Sequence, residues 1–206
     1  MSGETEQAKG RQGALLAKQW LDRSTRVRAE LVNPDGVAKK KLSLKKAHFK
    51  DANATFSFDL GGRFREGDFD GEQFLAEVKN YANSSDLPQH FRGFLAHCYR
   101  AVAIDHMMAD QFFWISFAPH GGTRWDKITS VDDIKDAVLH KDFVDVNFTP
   151  GQDCEKEFSP EIAETVSKRV WLLILSPQQI EHLTLTQKHH GVLEDYIVNS
   201  AKEVEL

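Results

Sequence analysis

The chain has little of what commonly staples or metallates a small domain. It carries two cysteines, Cys98 and Cys154, in no CxxC pair, and two thiolates leave a tetrahedral zinc site half made. Nine histidines are present, none in an HExxH pattern, and the neighbours His189 and His190 point in different directions on a helix or a strand. The longest strongly apolar stretch, residues 170–175, is far too short to cross a bilayer. The first ten residues are polar and offer no apolar core of a secretion signal, so a cytoplasmic protein with reduced thiols and no membrane attachment is expected. Positive charge is not in excess: a net charge of -5 argues against a protein that coats nucleic acid, and confines any phosphate contact to a local patch. Neither GxGxxG nor GxxxxGK(S/T) occurs, so Gly61-Gly62 is not read as a phosphate cradle.

What remains is a globular balance, 41% hydrophobic and 28% charged over 206 residues. Residues 1–206 read as one domain, without repeat or linker. Residues 1–10 read as a frayed polar lead and 10–21 as a helix with Leu15, Leu16, Trp20 and Leu21 on one side. Asn33-Pro34-Asp35-Gly36 is a turn between a strand over 27–32 and a lysine-rich stretch over 39–46. A strand follows over 54–60, where Phe56, Phe58 and Leu60 alternate with Thr55, Ser57 and Asp59. Another spans 73–81, where Phe74, Ala76 and Val78 alternate with Leu75, Glu77 and Lys79. Gly61, Gly62, Gly67, Asp68, Asp70 and Gly71 between them are turn chemistry, which predicts an antiparallel hairpin. Ser85 or Asp86 caps a helix over 88–104, with Pro88 in its first turn. Residues 111–118 read as a buried strand, 131–140 as a helix capped at Ser130, and 170–175 as a second buried strand. Ser176-Pro177 opens a further helix, and 193–204 forms the last. The expected fold class is α/β, or α+β: a mixed sheet flanked by helices.

One face of the hairpin carries chemistry. Period two puts Glu77 and Lys79 side by side, opposite Phe74, Ala76 and Val78, and the matching register brings Asp59 across to them. Two carboxylates and one ammonium suit phosphodiester hydrolysis. Asp59, Glu77 and the Val78 carbonyl supply the hard oxygens that Mg²⁺ or Mn²⁺ prefers. Lys79 orients the attacking water or stabilises charge at the phosphate. The competing reading is a solvated hairpin face with an ion pair of little worth. Asp68 and Asp70 rival Asp59 as the first acid.

Asp59 followed by Glu77-Val78-Lys79 resembles the D…(E)xK signature of the PD-(D/E)XK, or restriction-endonuclease-like, nuclease superfamily. Phe58-Asp59-Leu60-Gly61-Gly62 and Phe74-Leu75-Ala76-Glu77-Val78-Lys79-Asn80-Tyr81 are similar to its Mrr-like and very-short-patch-like subgroups. The resemblance implies a core of order αβββαβ over about residues 10–118, to which residues of about 125–206 add an αβα elaboration. It implies a metal-dependent endonuclease acting on DNA, in restriction, anti-phage defence or DNA repair. The chain departs from the pattern in two places: no proline precedes Asp59, and Ala14 stands where many relatives carry a glutamate on the first helix. Gln89 or His90 is the auxiliary polar residue that the following helix is expected to supply.

For nucleic-acid contact, Lys45 and Lys46 of the lysine run, Arg63 on the glycine-rich connection and Asn80 after the ExK strand are the candidates. The alternative for the lysines is a solvated segment that resists aggregation. His97, Cys98 and Tyr99 are neighbours on a helix and do not align for Cys/His catalysis. No helix-turn-helix is apparent, so specificity is expected from a homodimer or a partner protein. The rival functional class is a nuclease-fold subunit with weak catalysis, acting as a binding or scaffold partner. A third is a different metal-dependent hydrolase using the same carboxylates.

Overall fold

The strand over residues 73–79 is covered on both faces, and the architecture follows from that. Phe74, Ala76 and Val78 enter one apolar cluster and Leu75 the other, so helices must flank the sheet on both sides. The computed structural model describes residues 2–48, 54–80, 85–119 and 122–204. Helix α1 (Ser2–Ser24) leads to β1 (Val27–Val32), α2 (Gly36–Leu42), β2 (Ser43–Lys45) and β3 (Thr55–Ser57). Next come β4 (Leu60–Phe64), β5 (Gln73–Lys79), α3 (Leu87–Ala103) and β6 (Gln111–Ser116). A turn of 3₁₀ helix (Gly122–Arg124) precedes α4 (Val131–Val138), α5 (Val144–Asn147), α6 (Cys154–Glu157) and α7 (Pro160–Arg169). The chain then runs through β7 (Val170–Ile174), α8 (Pro177–Leu183) and α9 (Gln187–Val204).

The main sheet has five strands in the order β1-β4-β5-β6-β7, and β2 and β3 form a separate pair. β1, β4 and β5 are antiparallel neighbours, whereas β5, β6 and β7 run parallel. α3 makes the crossover between β5 and β6, and its Phe91, Phe94 and Leu95 lie in one cluster with Trp114 of β6. Each such side chain contributes about 1.5–3 kcal/mol by burial. α1 covers the other face with Ala14, Ala17 and Leu21. Ile134 of α4 and Val166 of α7 join the α3 side, so the residues after 125 complete the same layers. Among the described residues, no helix is long and apolar enough to cross a membrane.

Several expectations are corrected. α1 begins at Ser2, not near residue 10. The predicted strand over 54–60 is broken: Thr55–Ser57 pairs with β2, and the main-sheet strand begins only at Leu60. Phe56 and Phe58 pack on the α3 side while Leu60 packs on the α1 side, so the chain changes face at Asp59. The simple alternation of apolar residues masks that change. Gly61 and Gly62 lie inside β4 rather than in the turn. A Cβ on Gly62 would sit 1.9 Å from the Arg28 carbonyl oxygen, where β1 bulges between Ala29 and Leu31. β7 is an edge strand and not fully buried; Trp171 is 39% exposed. α7 was not expected, although Ser159 caps it by accepting from the Ile162 N–H and Pro160 opens it.

The close approach at Gly62 predicts that Gly62→Ala lowers unfolding free energy by more than about 3 kcal/mol. Gly10→Ala, in α1 with nothing within 4 Å of its Cβ, gains about 0.5–1 kcal/mol. Denaturant unfolding of the two variants checks both, and equal midpoints would contradict the packing described.

Candidate active site

Asp59 is fixed from three directions. Its backbone N–H donates to the Ala76 carbonyl at 2.9 Å, and its carbonyl accepts from the Asn33 N–H at 2.9 Å. Its carboxylate Oδ2 accepts from the Val78 N–H at 2.8 Å. The side chain therefore takes up a strand donor just where the β4–β5 ladder ends. In extended backbone, a residue's N–H and C=O point to the same strand edge, so the Val78 carbonyl is directed to the edge that Asp59 occupies. Glu77 and Lys79 stand beside each other on the α3 face of β5, with Lys79 Nζ 2.6 Å from Glu77 Oε1. Their side chains are 14% and 16% exposed. The three residues of the predicted cluster are thus brought to the C-terminal end of β5.

The electrostatics show that the two acids feel each other. Burial, and then the charge of Glu77, push the Asp59 carboxyl up to about 7, against the opposing pull of Lys79 and the Val78 N–H. A buried pair of carboxylates with one ammonium is short of positive charge. That donor set, with the Val78 carbonyl added, fits a hard divalent cation such as Mg²⁺. Among the described residues, no three His, Cys, Asp or Glu side chains are grouped as ready metal ligands, so such an ion would retain several waters here.

α3 supplies the surroundings. Burial, then Lys79, lower the basicity of His90, with Glu77 and Asp86 opposing. His97 stacks on Phe56 with ring centroids 4.0 Å apart. Burial, Lys46 and Lys79 push it down to about 3, against Asp145, so it is neutral at physiological pH. The Cys98 thiol is buried and pushed up, chiefly by desolvation, which leaves it inert as a nucleophile. On its open side, Asp59 borders a cleft of about 570 Å³ between α1 and the Asn33-Pro34 turn. Gly10, Arg11 and Ala14 of α1 form the facing wall.

The other predicted residues are dispersed. Lys46 pairs with Asp145 at 2.9 Å, and the carbonyl of exposed Lys45 accepts from Arg100 Nε. Arg63 is held by Glu30 at 3.0 and 3.1 Å and lies opposite Gln73. At ~3.3 Å per strand residue, that end of the hairpin is about 20 Å from Lys79. Asp68 and Asp70 belong to the same remote turn, where Asp70 Oδ1 accepts from the Glu66 N–H, so neither replaces Asp59. Asn80 donates to the Lys9 carbonyl at 3.4 Å and packs against Gly13 of α1. Gln89 donates to Asp142 at 2.8 Å and accepts from Arg92, whereas the charges of Lys79 and Glu77 act on the His90 imidazole. Tyr81, Asn83, His120 and Gly121 lie outside the described residues. Arg11 was not among the expected site residues: the resemblance pointed to this helix at Ala14, three residues further on, rather than at position 11.

No protein-family model matches the chain, and no curated protein matches it. Among solved structures the chain is similar to a Moraxella osloensis Cap4 SAVED/CARF-domain containing receptor, with 16% identity and a TM-score of 0.35. The match covers 84% of this chain but 34% of the receptor chain; at this TM-score it carries no argument about fold or activity.

The raised Asp59 carboxyl has a consequence for stability. The folded state holds this proton more tightly than the unfolded chain, so the contribution is full below about pH 3.8 and is lost as pH rises to about 7. Asp59→Asn is therefore expected to raise the unfolding midpoint at pH 8 and to flatten the decline between pH 4 and pH 7. Thermal melts across that range, without divalent cations, give the comparison; an identical decline in the variant would show that Asp59 is not the group responsible.

Proposed function

We propose that this chain is a metal-dependent nuclease of the restriction-endonuclease-like type, hydrolysing phosphodiester bonds of DNA. The observation that carries the reading is the approach of Asp59, held on the Val78 N–H, to the Glu77–Lys79 pair at the end of β5; of the three, Asp59 borders the open cleft. Apart from α2, β2 and β3 inserted between β1 and β4, the elements α1-β1-β4-β5-α3-β6, with antiparallel β1, β4 and β5 and a parallel β6, support it, because they agree with the αβββαβ core that the signature implies.

In this reading Asp59, Glu77 and the Val78 carbonyl would hold Mg²⁺ or Mn²⁺, which would supply a more acidic water and charge neutralisation at the phosphoryl oxygens. The ammonium of Lys79, kept in place by Glu77 at 2.6 Å, donates hydrogen bonds to the attacking water or to a non-bridging oxygen of the phosphate. Water's oxygen forms the new bond to phosphorus as the bridging P–O bond breaks, water losing one proton to solvent and the leaving oxygen taking one up to depart as a hydroxyl. Burial strengthens each of these interactions relative to bulk water. Asn80 and Gly13 brace the end of β5 against α1, which fixes the backbone from which Glu77 and Lys79 project.

A second reading is favoured by one observation. Ala14, 2% exposed, lines the cleft wall where many relatives of this type carry an acid. A nuclease-fold subunit that binds DNA or a partner with little turnover would tolerate that alanine.

Supercoiled and linear DNA incubated with Mg²⁺ or Mn²⁺ separate the two. The nuclease reading expects cutting by wild type, and a loss of at least about a hundredfold in both Asp59→Asn and Lys79→Ala. Both variants must keep a cooperative unfolding transition. Cutting that persists in folded Lys79→Ala contradicts the assignment; a folded wild type that binds DNA but never cuts supports the second reading.

A further inference from the structure

The cleft beside Asp59 needs a cation to receive a polyanion, and of the cations expected from the sequence none of Lys45, Lys46 and Arg63 lines it. Lys46 is tied to Asp145 and Arg63 to Glu30. Of the side chains lining the cleft, Arg11 is the cationic one. It projects from α1 one residue after Gly10, whose missing side chain leaves open space, and three before the small buried Ala14. The wall is thus low enough for a nucleic-acid backbone to approach Asp59, with a guanidinium at its rim.

Arg11 is not idle. Its Nη2 lies 2.9 Å from Oδ1 of Asp35, and both side chains are 51% exposed. Asp35 occupies the N-cap position of α2 but its carboxylate makes no capping bond, although aspartate is a favoured cap. It reaches across to α1 instead, so the bridge spans the cleft from the helix to the Asn33-Pro34 turn. An exposed pair of this kind is worth about 0–1 kcal/mol, and a guanidinium binds phosphate in the same forked geometry that it uses for carboxylate. Exchange of one partner for the other is therefore cheap.

We infer that Arg11 is a phosphate-binding residue for the strand delivered to Asp59, and that Asp35 holds the guanidinium in place until a phosphate displaces it. The inference rests on the nuclease reading and deepens it: the substrate is a polyanion that enters between α1 and the Asn33-Pro34 turn, and Asp35 is its built-in competitor. Asp35 also sets a filter, since a ligand must offer more than one carboxylate's worth of negative charge to win the guanidinium.

The test is binding of a short duplex DNA by full-length protein in Ca²⁺, followed by fluorescence anisotropy over a range of salt. Arg11→Gln is expected to bind about three- to tenfold more weakly, with a salt slope smaller by about 0.9. Arg11→Lys is expected to recover most of the slope. Asp35→Asn is expected to bind more tightly than wild type by a similar factor, and the double variant Arg11→Gln/Asp35→Asn to resemble Arg11→Gln. An Arg11→Gln variant with unchanged affinity and slope overturns the inference. So does an Asp35→Asn variant that weakens binding as Arg11→Gln does, which would make the pair a brace of the fold. If wild type cuts DNA yet Arg11 proves irrelevant, the nuclease reading stands and this inference alone fails. If wild type neither binds nor cuts, both fail.

Discussion

The hydrogen bond from the Val78 N–H to Asp59 Oδ2 is the interaction on which the rest of the site depends. Asp59 sits where the chain leaves the small β2–β3 pair and enters the main sheet, changing the face to which its side chains point. A ladder bond is not available at such a corner, and a carboxylate oxygen takes its place. The same bond positions the acid over the end of β5, from which Glu77 and Lys79 project. Fold and site share one oxygen here: truncating the side chain, as in Asp59→Ala, would free a strand donor and remove the acid together.

The arrangement is electrostatically uncomfortable by itself. Two acids and one lysine are drawn out of water at the end of a sheet whose interior is aromatic and aliphatic. The stability that tolerates this lies in the flanking layers: Phe91, Phe94 and Trp114 on one side, Leu21, Phe74 and Phe113 on the other. A proton on Asp59 relieves the strain, and so would a divalent cation. Competition between the two would make the proposed cation site weaker as acidity rises. Arg11 and Asp35 extend the same theme to the rim, where an exposed pair stands ready to be reorganised by a more strongly charged guest.

Much of this was legible in residue order, and the illegible parts have physical causes. β5 and the Glu77–Lys79 pair followed from period two, because a strand covered on both faces leaves no other place for two polar side chains. α3 followed from Pro88 in its first turn and its apolar stripe, although Asp86 at its N-cap position makes no side-chain capping bond, and the cap of α4 at Ser130 followed from its start signal. The break at Asp59 was hidden because Phe58 and Leu60 are both buried, though on opposite sides. Gly62 resembled a turn residue because the bulge of β1 that demands it is a tertiary fact. Starting β4 at Leu60 instead of ending a strand there moved Arg63 to the far end of the hairpin, and with it the expected phosphate contact. Position 11 joins the site only through the packing of α1 across the sheet, which no local pattern encodes.

The central claim is that Asp59, Glu77 and the Val78 carbonyl form one cation site. Crystals of the wild-type protein soaked in Mn²⁺, with diffraction measured near the manganese absorption edge, test it most directly. The account predicts an anomalous peak within coordination distance of Asp59, Glu77 and the Val78 carbonyl oxygen, with Lys79 alongside. A peak elsewhere, or none at these three groups under saturating Mn²⁺ at neutral pH, would contradict it.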